Sequence, residues 1–196
     1  MLKKTLAAAA LIALQAGASN AAVVFHDDFS SYGTATVLNA PDSLFGGNWS
    51  TGGGTIDYLA AGDNFGNLCQ GNGNCIDLDG STGTAGLFSS VVFGAGRYTL
   101  DLGLIGSGRN TSETVTVTLG SFSTSIGPIA SGADASSSWT FSTNGGSLSF
   151  QNGGGDNIGA ILTSVKVSAV PLPAGGLLLL TALGGVAALR RKRKAA

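Results

Sequence analysis

Strict alternation of apolar and polar positions runs through the middle of this chain. Over residues 97–104 it sets Tyr98, Leu100, Leu102 and Leu104 on one face. Over 114–119 it turns Val115, Val117 and Leu119 inward and three threonines outward. The same period of two recurs at 23–25, 55–59, 75–79, 87–93, 121–126, 138–142, 148–150 and 161–167. Alternation rich in β-branched and aromatic residues, broken by Gly, Asn and Ser, is the mark of half-buried strands. Between about Ala22 and Ala169 no stretch has a helical period, and the glycine runs at 52–54, 145–146 and 153–155 read as turns. Roughly nine short strands in one domain predict an all-β fold, a jelly-roll-like sandwich.

The two ends read differently. Lys3 and Lys4 precede a short apolar run, Leu6 to Leu14, and Ser19-Asn20-Ala21 supplies small residues for cleavage. That is a secretory signal peptide over 1–21, the substrate of signal peptidase. At the other end, Val170 to Leu189 carries no charge, and Arg190, Arg191, Lys192, Arg193 and Lys194 follow. Twenty residues at about 1.5 Å each make a helix of roughly bilayer thickness. Five cations then stop transfer and stay cytoplasmic, so the body faces outward. The predicted organisation is a signal peptide (1–21), a β-sandwich (22–169) and a tail holding a transmembrane helix (170–196).

The tail begins Val170-Pro171-Leu172-Pro173-Ala174. This Pro-flanked motif, apolar segment and basic stop resemble the VPLPA-type variant of the PEP-CTERM sorting signals of Gram-negative bacteria. The resemblance implies an exosortase-type enzyme of the inner membrane that removes the tail and passes the protein to the cell surface or matrix. The two prolines suit such a cleft, since they hold the segment extended. Leu172 stands where the commoner motif has an acidic residue, which implies a variant sorting enzyme. A plain single-pass anchor that stays on the protein is the competing reading.

Charge separates along the same boundaries. Of ten Lys and Arg, only Arg97, Arg109 and Lys166 lie in the body, against all eleven acids of the chain. So acidic a body repels nucleic acid. Cys69 and Cys75, in an exported chain, predict a disulfide across a short glycine-rich loop.

Candidate chemistry is sparse. His26 is the single imidazole and would have to serve any Ser-His-Asp site. Asp77 and Asp79 are two apart, hence on one strand face, and with Asp28 and Asp156 they supply hard oxygen ligands for calcium. The other reading of those aspartates is a solvated polar face. Trp49 and Tyr58, in Gly/Asn-rich surroundings, and Arg109, in a Gly-Ser-Gly-Arg-Asn loop, are candidates for contacting a polysaccharide.

The order of segments from Asp28-Phe29 to the strand at 161–165 also resembles galactose-binding-like jelly rolls. In those domains the last strand often carries an acidic residue where Thr163-Ser164 stands here. The expectation is an exported, non-catalytic protein of the envelope or extracellular matrix that binds exopolysaccharide. A small calcium-dependent polysaccharide-active enzyme and a structural envelope protein without ligand are the alternatives.

Overall fold

The computed structural model describes residues 21–171, apart from 63, 64, 82–85, 110 and 155. The predicted signal peptide as far as residue 20, the motif from Leu172 onward, the membrane segment and the basic stop lie outside the described residues. Residues Val23–Ala169 form one unit.

Among the described residues, eleven strands build two sheets. They are β1 (Ala22–Asp27), β2 (Trp49–Ser50), β3 (Asp57–Leu59), β4 (Cys75–Asp77), β5 (Gly86–Phe93), β6 (Gly96–Ile105), β7 (Ser112–Leu119), β8 (Phe122–Ala130), β9 (Ser137–Thr143), β10 (Gly146–Asn152) and β11 (Ile161–Ala169). One sheet runs β3-β4-β11-β6-β9, with β1 also paired to β11; the other runs β2-β5-β10-β7-β8. The ladders along both orders are antiparallel. The fold is an all-β sandwich, as the alternation predicts. Among the described residues, helix is limited to 3-10 turns at Ser30–Tyr32, Asp42–Phe45 and Gly66–Cys69.

The inward positions of the two sheets meet in one core. Leu100, Leu102 and Leu104 of β6 and Val165 and Val167 of β11 pack toward Leu87, Val115, Val117, Leu119, Leu148 and Phe150. Removing such side chains from water is the main favourable term in folding, at about 1.5–3 kcal/mol each.

A second, smaller cluster lies apart: Leu59, Cys69, Cys75, Ile105 and Ile161. It exists because β11 changes phase. Its register against β6 shifts between Leu162 and Ser164. An extra residue in a strand reverses the alternation beyond it. Leu162 therefore joins Val165 and Val167 in the main core, three residues on rather than two, while Ile161 faces the small cluster. The bulge needs Gly103 opposite, where a Cβ would stand 2.3 Å from Thr163 Oγ1.

The predicted disulfide is present, Cys69 to Cys75, with both cysteines fully buried. It clamps the 3-10 turn Gly66–Cys69 to the start of β4.

Candidate functional site

Trp49 and Tyr58, read from sequence as ligand contacts, belong to the core. Their exposures are 1% and 0%. Both are held by polar atoms that core aromatics must satisfy. Asp27, at the end of β1, accepts hydrogen bonds from Trp49 Nε1 at 2.7 Å, from the Phe29 N–H at 2.8 Å and from the Tyr32 hydroxyl. Tyr58 donates its hydroxyl to the Gly33 carbonyl at 2.7 Å and accepts from Asn74 Nδ2 at 2.6 Å. Polar surroundings in sequence suggested loop exposure. In the fold those polar residues are the partners of the ring heteroatoms.

Arg109 is likewise engaged within the protein. It forms a salt bridge with Asp77 and donates to the Asn157 carbonyl and to Ser107 Oγ, both at 3.0 Å. Asp77 is not on a solvated face. It is 1% exposed, and β4 is buried along its whole length. The outer side of β4 is covered by the disulfide-linked turn and by Arg109, which sequence periodicity cannot show. Burial pushes Asp77 up to about 7; Arg109 and the N–H groups of Asp79 and Gly159 oppose that rise. Asp57 stands directly opposite Asp77 in the ladder. Like charges so placed repel. Burial also raises Asp57, while the Asn39 N–H it accepts at 2.7 Å opposes that. This set is a buried ion pair with satisfied lone pairs rather than an open metal site.

Asp28 is also bound locally: its Oδ1 accepts from Ser30 N and Oγ, at 3.1 and 2.6 Å, which hold its carboxyl below the usual range. Asp79 and Asp156 do come together, in company the spacing did not announce. Glu113, at the start of β7, joins them from the other sheet. Asp79 is buried, and burial first, then the charges of Asp156 and Glu113, raise its carboxyl.

His26 is exposed on β1 and lines an open depression of about 510 Å3 with Asp101, Ser138, Ser164 and Lys166.

The outer face of the five-stranded sheet carries a different arrangement. The ladders align two rows across the strands. Gly86, Gln151, Thr116 and Ser125 form one, and Ser50, Phe88, Ser149, Thr118 and Ser123 the other. Thr116 and Ser125, and Thr118 and Ser123, share hydroxyl hydrogen bonds of 3.3 Å. Every member is uncharged.

A hollow of about 330 Å3 opens on this face, lined by Phe88, Gln151, Asn152, Thr116, Thr51 and the glycines around them. Phe88 is half-buried there. A Cβ at Gly86 would stand 2.7 Å from its ring, and one at Gly52 would stand 2.6 Å from it. The two glycines thus leave the room the ring occupies. Phe88, Gln151 and Thr116 were not singled out from sequence. Period-2 alternation marks them as outward positions but does not say that the ladder sets them side by side.

No protein-family model matches the chain and no match to a curated protein is significant. Among solved structures, the chain is similar to the adhesin domain K1 of Lys-gingipain from Porphyromonas gingivalis, at 14% identity and TM-score 0.48, over 74% of this chain and 97% of that one. It is similar to the xylanase 10B CBM22-1–GH10 modules of Clostridium thermocellum, complexed with xylohexaose, at 13% identity and TM-score 0.45, over 76% and 28%. An exo-β-1,3-galactanase of Phanerochaete chrysosporium matches at 20% identity and TM-score 0.38, over 68% and 29%. The chain thus spans less than a third of the galactanase and xylanase chains. At these similarities, function has to be read from the chain's own residues.

Proposed function

We propose that this chain is an exported, non-catalytic protein of the cell surface or extracellular matrix that binds a neutral polysaccharide across its five-stranded sheet. Export and sorting rest on the two ends: the signal peptide at 1–21, and the Val170–Ala174 motif with its apolar segment and basic stop. Signal peptidase and an exosortase-type enzyme are the partners that act on them. The chain's passage between sheets from β5 to β6, β6 to β7, β8 to β9, β9 to β10 and β10 to β11 supports a jelly-roll-like winding.

The observation that carries the binding reading is the Phe88 hollow with its two uncharged rows. An aromatic ring offers an apolar platform for the C–H face of a sugar, and amide and hydroxyl groups beside it orient the sugar hydroxyls. Strands about 4.8 Å apart present these groups at nearly one hexose unit per strand. An acidic body with an uncharged face favours a neutral glycan over an anionic one.

The test is affinity electrophoresis and calorimetry of the full-length protein with the neutral exopolysaccharide fraction of its host. Phe88→Ala and Gln151→Ala should each weaken binding about tenfold, the equivalent of some 1.4 kcal/mol, with the circular dichroism spectrum unchanged. Wild-type affinity in Phe88→Ala would remove this face from the function. Failure of the wild type to bind any neutral polysaccharide would remove the ligand class.

A further inference from the structure

At the ends of β4 and β7 a group of oxygens lacks partners. Asp79, 1% exposed, has no hydrogen-bond partner on either carboxylate oxygen, and neither has the buried Thr111 Oγ1. The N–H groups of Asp156 and Asn157 lie near the Asp79 carboxyl without reaching hydrogen-bond geometry. A bare buried carboxylate among like charges is costly unless a cation or a proton compensates it.

The surroundings converge on one point. The place where a Cβ would stand at Gly154 is 3.1 Å from Asp79 Oδ2, 3.1 Å from Glu113 Oε2 and 2.8 Å from Asn152 Nδ2. Glu113 is 3% exposed, and Asn152 Nδ2 donates to its Oε2 at 3.2 Å. A cavity of about 320 Å3 there is lined by Thr111, Glu113, Gly154 and Asp156. The loop that carries Asp156 is tied beside Asp79: with its amide turned to face them, Asn157 donates to the carbonyls of Gly80 and Ser81 at 3.2 and 3.1 Å.

We propose that Asp79, Glu113 and Asp156, with the Thr111 hydroxyl, form a calcium site that joins the end of β4 in one sheet to the start of β7 in the other. Three carboxylates, a hydroxyl and nearby backbone carbonyls meet the demand for six to eight hard oxygens, with water completing the shell. The absence of histidine and cysteine from the group argues against zinc. Among the described residues no three acidic side chains yet stand at ligating separation. The ion would draw them in, which side-chain rotation about Gly154 permits because no Cβ fills the centre. Asp77 and Asp28, the other two aspartates of the sequence reading, take no part.

The experiment is thermal unfolding and calorimetry of the full-length protein after EDTA, with calcium or magnesium chloride added back. Millimolar calcium should raise the Tm of the wild type by several degrees, as binding to the folded state alone requires, and magnesium should do so far less. Asp79→Asn removes a buried charge, so its metal-free Tm should equal or exceed that of the wild type while the calcium shift is lost. Glu113→Gln should lose the shift too, and Asp28→Asn should keep it. A stripped wild type indifferent to calcium, an Asp79→Asn variant with the full response, or an equal response to magnesium would each overturn the assignment. None of these readouts involves glycan binding, so the two proposals fail separately.

Discussion

Asp27 shows how much one side chain can organise. It collects the indole N–H of Trp49, the Tyr32 hydroxyl and the Phe29 amide, and Trp49 in turn lies edge-on to Phe25 with ring centroids 5.3 Å apart. The arrangement has a pH signature. Burial, then the hydrogen bond to Asp27, push Tyr32 from 10.0 up to about 12. Between those values the unfolded chain has lost the phenolic proton and the folded one has kept it. The unfolded state then binds fewer protons, so stability falls as pH rises. Denaturation midpoints measured at increasing alkalinity should therefore decline over that window, and Tyr32→Phe should flatten the decline. An identical slope in the variant would show that another group is responsible.

Among the elements, β4 is the one whose surroundings matter most. It lies between β3 and β11 and is buried on both sides. Its outer side is closed by the turn Gly66–Cys69, which the disulfide holds at a sequence separation of 6. Cross-linking so short a loop restricts the unfolded chain by about 2 kcal/mol. The double variant Cys69→Ser, Cys75→Ser should lose about that much in urea titrations. The loss should be matched by reducing the wild type. A loss near zero would mean that the packing of Leu59, Ile105 and Ile161 holds the turn without the bond. The strand's polar members were misplaced by period-2 reasoning for the same cause. Alternation separates two faces of a strand, but only the tertiary fold says whether a second layer covers the outward one. The sequence offers Trp49 as a ligand contact for a related reason: β2 has two residues, too few for any period to register.

At the scale of the whole molecule, the body and the chain ends make separate statements. In the sorting proposal the ends are addresses and the sandwich is the cargo. Intact mass of the protein from membrane and secreted fractions of its host should give a species that starts near Ala22 and ends between Val170 and Ala174. A mass that retains Arg190 to Ala196, found only in the inner membrane, would leave the protein an anchored domain and sink the sorting proposal.

What the sequence determined by itself is local and periodic. β1 and the strands from β3 to β11, the inward residues of β6, β7 and β10, and the pairing of two lone cysteines follow from alternation and composition. The order of strands within the sheets, the phase change in β11 and the partners of each polar side chain were decided by the tertiary structure. The Phe88 hollow needs β2, β5, β10 and β7 side by side, and the oxygens around Gly154 come from positions as distant as Asp79 and Glu113. Such sites depend on contacts between residues far apart in the chain, and hydrophobic period carries no record of which distant strand will become a neighbour.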